Sequence, residues 1–357
     1  MTRSAAWSTS RSTLQVACLG RRRPNWTFAT NRSFSLSARL RRGHECSAHR
    51  DARIKGLGRE ITDTYAYVKD RYDAPKYPVV LAHGLLGFAE LKLAGSYLPS
   101  IHYWLSFRTA KTTLLTWCIR RGIKEALIAQ NIEVITTSVP PSGSIEQRAA
   151  KLARDIELHA NGRSVNIVAH SMGGLDARYM ISQLRPKGVG VKSLVTVATP
   201  HHGSSVADYI IDGIGPENLS RLYRAWNRAT GWEHDAFDQL TTRYMNAGFN
   251  AKTPDDPNVR YFSYGAMLVA KPPLLSPFRV SHRLLNQLEG PNDGLVSVES
   301  SKWGTYKGTL LGVNHLDLIN WSNRLRFTLR RLLGKKQSFN AIAFYLDIAD
   351  MLAKEGL

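Results

Sequence analysis

The feature that most constrains this chain is a serine set between an apolar run and the start of a helix. Asn166-Ile-Val-Ala-His-Ser171-Met-Gly173 leads directly into Gly174-Leu-Asp-Ala-Arg-Tyr-Met. A strand that becomes a helix within two residues forces the corner serine into a strained backbone conformation, so the residues two before and two after it must be small. Those positions hold Ala169 and Gly173. The usual pattern has glycine at both, and a methyl at 169 is the smallest departure available. A helix starting at Met172 also aims free N–H groups and its positive dipole end at the serine, where acyl transfer develops negative charge. An ordinary N-cap serine would leave the same five residues, so the corner alone does not establish catalysis.

Upstream, Tyr77-Pro-Val-Val-Leu-Ala-His83-Gly84-Leu85-Leu-Gly87-Phe is an apolar strand ending in a His-Gly turn. In an α/β-hydrolase that turn supplies one backbone donor of the oxyanion hole, and the residue after the serine supplies the other. The amides of Leu85 and Met172 are therefore the candidates. Downstream come Glu289-Gly-Pro-Asn-Asp293-Gly294-Leu-Val-Ser and Gly312-Val-Asn-His315-Leu-Asp317. The order Ser171, Asp293, His315 is the nucleophile, acid, base order of α/β-hydrolases. In that arrangement His315 takes the serine proton and returns one to the leaving alcohol, while Asp293 orients the imidazole and stabilises its charged form. Asn-Asp-Gly is also a common turn, so Asp293 alone would be turn chemistry. Rival bases are His170, His201 and His202, and rival acids are Asp317 and Asp256. His170 adjoins the serine and would point away from it, whereas His201 and His202 read as loop residues near the site. Asp317 is only two residues from His315, too local for a separate acid loop.

Strands are expected near residues 77–83, 132–138, 164–170, 191–198, 259–264 and 308–313, alternating with helices near 122–130, 144–160 and 173–184. This alternation implies an α/β-hydrolase fold with a mostly parallel central sheet and helices on both faces, its ligands at the strand C-terminal ends. The long excursion over 201–258 is the expected place for a helical lid, because loops of that size without a role are uncommon. Within it, Tyr209, Ile210, Leu222 and Trp226 are candidates for lining an acyl-chain site.

Five motifs in order, His83-Gly-Leu-Leu-Gly-Phe, Ala169-His-Ser-Met-Gly-Gly174, Ala198-Thr-Pro-His-His-Gly203-Ser, Asn292-Asp-Gly-Leu-Val and Asn314-His-Leu-Asp, resemble the bacterial true lipases and their fungal mitochondrial triacylglycerol lipase relatives. The resemblance runs from residue 77 to 357 and implies a lipase acting on acylglycerols through an acyl-enzyme. A phospholipase, a short-chain esterase and a lipid acyltransferase remain open, as does a retired hydrolase fold serving as a membrane-surface or protein-binding module. The resemblance also implies a calcium ion between two aspartates. Asp317 matches one, but no Asp or Glu lies between residues 257 and 288 to match the other. A hard dication with one carboxylate binds weakly, so neither a metal nor a cofactor is expected. Those relatives often carry a disulfide, and the body here has only Cys118. Residues 105–119 interrupt a segment that is nearly continuous in such lipases, and read equally as a true insertion or a gene-model artefact.

Residues 1–43 hold nine arginines, no lysine and no acidic residue, amid many serines and threonines. That is the composition of a transit peptide, and the apolar stretch from Leu14 is too short for a secretory signal, so a mitochondrial location is expected. Residues 44–75 read as a connector, with a helix over 54–72, into a lipase domain at 76–357. Half of the formal net charge of +20 lies in residues 1–55. The positive remainder favours peripheral contact with an anionic membrane surface, and nothing resembles a nucleic-acid motif. No apolar run reaches the roughly 18 residues of a membrane-spanning helix. The basic stretch 321–336 is expected as a helix with a solvated cationic face, and 338–352 as a capping helix.

Overall fold

The computed structural model describes residues 56–62, 64–84, 122–140, 143–214, 235–273, 276, 278–320 and 339–357. They belong to one unit, His49–Leu357; a second, Met1–Ala48, falls outside the described residues. Also outside are Leu85, Leu222, Trp226, the insert 105–119 and the basic stretch 321–336.

Short runs of Val, Ile and Leu form the strands of one sheet. These are β1 (Glu60–Ile61), β2 (Val79–Ala82), β3 (Val134–Thr136), β4 (Val165–His170), β5 (Val191–Val197), β6 (Arg260–Met267) and β7 (Thr305–Leu311). Their order is β1-β7-β6-β5-β4-β2-β3, and every neighbouring pair is parallel. A parallel sheet needs a crossover between successive strands and is therefore covered on both faces. The period-two alternation of side chains builds two cores. Val79, Leu81, Val168 and Tyr264 face helices α1 (Ile123–Ala129) and α6 (Ala341–Lys354). Val80, Ala82, Ile167 and Ala169 face α2 (Ile145–Ala160) and α3 (Gly173–Tyr179). Burying each of the Val, Leu and Ile side chains among them contributes roughly 1.5–3 kcal/mol.

Local chemistry fixes where α2 begins and ends. Ser144 accepts from the Gln147 amide while Gln147 Oε1 accepts from the Ser144 amide, a reciprocal cap worth about 1 kcal/mol. Asn161, in the left-handed conformation at φ 51°, ends the helix.

Six of the seven strands lie where the sequence places them; β1 does not. Over its described residues, the stretch 54–72 is not the expected helix. Glu60 and Ile61 instead pair with Thr309 and Leu310 of β7, and the Thr309 amide donates to the Arg59 carbonyl at 2.8 Å. The exposed edge of β7 would otherwise leave a row of unpaired backbone groups, and covering it outweighs a weak local helix preference. The approach is close enough that a side chain at Gly308, φ 141°, would collide with the Arg59 carbonyl. Beyond β1, Tyr65 and Tyr72 enter the core, the Tyr65 hydroxyl donates to Asp347 at 3.1 Å, and Asp350 accepts from the Asp73 amide at 2.9 Å. This part of the connector is thus built onto α6.

Candidate active site

The parallel sheet brings the C-terminal ends of β2, β4, β5, β6 and β7 to one edge, and the loops leaving that edge carry the site. Ser171 directly follows β4 at φ 55°. The left-handed conformation costs a non-glycine residue about 1–2 kcal/mol. It is held from both sides: the Ser171 amide donates to Val197 at 2.9 Å, and its carbonyl accepts from Thr199 Oγ1 at 2.7 Å and the Gly174 amide at 3.1 Å. The small residues around it are required by contact. A Cβ on Gly173 would lie 2.7 Å from the His83 carbonyl oxygen, and one on Gly174 would run into the Thr199 side chain. Ala169 is fully buried in the second core, so its methyl is accommodated.

Ser171 Oγ and His315 Nε2 are 2.9 Å apart, and His315 Nδ1 and Asp293 Oδ2 are 2.7 Å apart. A carboxylate only accepts, so Nδ1 carries the hydrogen and Nε2 is left to accept from the serine hydroxyl. Asp293 is fully buried, and its other oxygen accepts from the Leu295 and Val296 amides at 2.9 and 2.8 Å. The Asn-Asp-Gly turn is also genuine turn chemistry, because Asn292 Oδ1 accepts from the Gly294 amide at 3.0 Å. The His315 loop is pinned by its own amide to the Asp293 carbonyl at 3.1 Å, and by the Gly312 and Val313 amides to Met267.

The rival residues are otherwise employed. His170 is buried with its ring 4.6 Å from that of His315, and it hydrogen-bonds the His315 backbone. His201 lies in the turn after β5, as expected, and is fully buried there; its Nε2 is 3.0 Å from Thr196 Oγ1, and its ring stacks on Trp303 at 5.2 Å. The Arg178 guanidinium carbon lies 3.5 Å from the Trp303 ring centre, and Arg178 Nη1 is 3.4 Å from His201 Nδ1. Asp256 accepts from the Asn258 amide in its own turn. Asp317 is buried, and its Oδ2 accepts from the Asn314 amide at 3.1 Å, which closes the His315 loop. With that carboxylate so used and no second acidic residue in 258–288, the donors present do not fit a calcium ion.

The turn facing the serine is the expected His83-Gly84 turn, braced by an arginine and an aspartate that the sequence reading missed. His83 is buried; its Nδ1 donates to the Gly84 carbonyl at 3.1 Å and its Nε2 accepts from the Val139 amide at 3.3 Å. Burial, reinforced by the Arg148 charge, pushes the His83 ring down to about 3, so it stays neutral. The guanidinium of Arg148, also buried, donates from Nη2 to the His83 carbonyl at 2.9 Å and from Nη1 to Pro140. It grips Asp176 of α3 through Nε at 3.0 Å and Nη2 at 2.8 Å. Burial raises the Asp176 carboxyl to about 6 against the opposing pull of Arg148. A signal for this pair existed, because Arg148 sits within the apolar stripe Ile145, Ala149, Leu152, Ile156 of α2. Gly84 packs on the serine so closely that a Cβ there would lie 2.6 Å from Ser171 Cβ. Met172 is buried where α3 begins.

Of the residues expected to line an acyl-chain site, Tyr209 and Ile210 are described. They lie on the exposed side of α4 (Ser205–Ile214). This helix is held at its start by the Ser205 amide to Glu289 at 2.7 Å, and further along by Asp208, which accepts from the Thr242 amide and hydroxyl at 2.9 and 2.7 Å. Among the described residues, no helix is long and apolar enough to cross a membrane.

Residues 125–242 match the family of PGAP1-like alpha/beta domains. Over 81% of the chain and 95% of the relative, the sequence is 38% identical to Triacylglycerol lipase 2 of Saccharomyces cerevisiae. It is 27% identical to a triacylglycerol lipase of Vibrio cholerae over 83% of the chain and 94% of the relative. Among solved structures, the lipase of Staphylococcus hyicus superposes with a TM-score of 0.56 at 20% identity, covering 80% of this chain and 98% of that one, which agrees with the α/β-hydrolase fold.

Proposed function

The chain belongs to the triacylglycerol lipases, and on that premise we propose that it hydrolyses acylglycerol esters in two steps through an acyl-enzyme on Ser171. The observation that carries this reading is the unbroken series from Ser171 Oγ through His315 to Asp293, at 2.9 and 2.7 Å.

As Oγ attacks the ester carbonyl, its proton passes to His315 Nε2, and the new imidazolium is stabilised by Asp293, which stays ionised. The carbonyl electrons become an oxyanion, facing the start of α3 and the amide of Met172. Leu85 is the proposed second donor. Collapse breaks the bond to the glycerol oxygen, which leaves with the proton from Nε2. Water then attacks the acyl-enzyme, giving its proton to Nε2. The second collapse releases the fatty acid and restores the hydroxyl of Ser171.

The excursion 201–258 is proposed as the movable cover, with Tyr209, Ile210, Leu222 and Trp226 lining the acyl path. The support for it is an amphipathic α4 with exposed Tyr209 and Ile210, leaving the site edge directly after Gly203 and Ser204. The arginine-rich, acid-free composition of residues 1–43 supports import into mitochondria. Fusing residues 1–55 to a fluorescent reporter tests that location, and diffuse fluorescence would count against it.

The decisive experiment compares wild type with Ser171→Ala on emulsified long-chain triacylglycerol. Loss of the nucleophile is expected to lower kcat by about 10⁶-fold and to abolish labelling by an active-site phosphonate. Undiminished turnover in the variant would overturn the mechanism.

A further inference from the structure

Beyond β6, the chain forms a rim unlike the rest of the surface. The turn 268–273 leads to helix α5 (Arg279–Leu288). From residue 258 to 288 there is no acidic residue. Lys271, Arg279 and Arg283 are exposed, and none of the three enters an ion pair among the described residues. Between these cations stand two bare aliphatic side chains, Val269 at 70% exposure and Val280 at 76%. On α5, positions 279, 280 and 283 fall on one side, opposite the buried Leu285.

The rim is tied to the site by hydrogen bonds and packing. The Leu268 amide donates to Asn292 at 2.9 Å, and Arg279 Nη1 donates to the Pro272 carbonyl at 3.1 Å, which bridges turn and helix while leaving the charge uncompensated. Phe278 packs against Gly294, where a Cβ would lie 2.8 Å from Phe278 Cβ. Because the sheet is parallel, the end of β6 lies at the same edge as Ser171 at the end of β4.

We propose that the turn 268–273 and the exposed face of α5 dock on an anionic phospholipid surface, with Val269 and Val280 entering the headgroup layer and Lys271, Arg279 and Arg283 meeting the phosphates. Aliphatic side chains flanked by cations that form no ion pair among the described residues, on a stretch of chain that itself carries no carboxylate, match a negatively charged lipid surface in both polarity and charge. The docking rests on the lipase reading for its purpose: it delivers the Ser171 edge to esters held in or on that surface.

The test measures binding apart from turnover. Full-length protein is mixed with vesicles of phosphatidylcholine alone or with a third phosphatidylserine, and bound protein is read by flotation. Wild type binds the anionic vesicles more tightly, and added salt weakens that binding. The variant Arg279→Gln/Arg283→Gln is expected to bind them about 30-fold more weakly, each cation near the surface being worth about fivefold. Val280→Ser weakens binding further, while hydrolysis of a dissolved short-chain ester is unchanged in both. A control, Lys76→Gln/Lys187→Gln, removes the same charge before β2 and β5, at the opposite sheet edge. Equal loss in the control would overturn the rim in favour of bulk charge. Full binding by the rim variant would overturn lipid docking and leave the face to a protein partner. Because flotation does not require catalysis, an inactive Ser171 would leave this result standing.

Discussion

Arg148 Nη2 lies 2.9 Å from the carbonyl oxygen of His83 and 2.8 Å from Asp176 Oδ2, so one buried guanidinium ties the turn before the serine to the helix after it. Fixing the His83 carbonyl fixes the peptide plane that leads into the proposed oxyanion donor. Arg148→Met should therefore lower kcat with little change in KM, by up to the roughly 100- to 1,000-fold that one oxyanion donor is worth. It also strands Asp176 in the interior, which costs about 3–5 kcal/mol of stability. Steady-state kinetics at a temperature where the variant is folded separate the two effects. A variant that is merely less stable, with kcat intact, would show that the guanidinium does not position the turn.

Gly84 provides an independent probe of the same contact. A methyl at 84 would sit 2.6 Å from Ser171 Cβ and 3.1 Å from the His170 carbonyl, and both neighbours are fixed by backbone contacts. Gly84→Ala should force the turn away from the serine and reduce turnover at least 100-fold, because misplacing a catalytic group by about 1 Å is worth that much. Near-normal turnover of a soluble ester would mean the turn can retreat without harm to the oxyanion site.

The parts of the site that are short in sequence were legible, and the parts assembled across it were not. Ser171 announces itself because the strained corner requires Ala169 and Gly173 around it, and β2 and β4 to β6 read directly as apolar runs. The Arg148 and Asp176 pair joins residues 28 positions apart on two helices; the place of Arg148 in the apolar stripe of α2 hints at burial, but nothing local identifies Asp176 as its partner. The strand at Glu60–Ile61 is two residues long and owes its existence to the unpaired edge of β7, which no local pattern around residue 60 reveals. His170 shows the same limit: its adjacency to Ser171 is plain, but its packing on the His315 ring depends on a loop that arrives 145 positions later.

Calcium should make no difference to this lipase. Asp317 closes the His315 loop through the Asn314 amide, and the stretch that would have to supply a second carboxylate, 258–288, has none. Turnover and melting temperature are expected to be the same with a strong chelator as with millimolar calcium. A chelator-induced fall in melting temperature that calcium restores would reveal a site built from other donors.

Acid should unfold the protein through its buried histidines. In the folded state His83 is held neutral down to about pH 3, and burial pushes His170 and His201 well below their ordinary value of 6.5. Unfolding lets all three take up protons near pH 6.5, so their contribution to stability is present above that pH and is lost as pH falls toward the folded values. Each contributes about 1.4 kcal/mol per pH unit in that window. Asp176 acts in the opposite sense. With its folded value raised to about 6, the carboxyl binds a proton in the folded state before it does so unfolded, and it returns stability between about pH 6 and 4. The three histidines outweigh the one carboxyl, so stability falls as the pH drops below 6.5. The melting temperature should therefore drop steeply between pH 6.5 and 4.5. His201→Gln, which leaves the Ser171 and His315 contact untouched, should flatten that slope. A melting temperature that stays level from pH 6.5 to 4.5 in the wild type would show that these histidines are not held neutral by the fold.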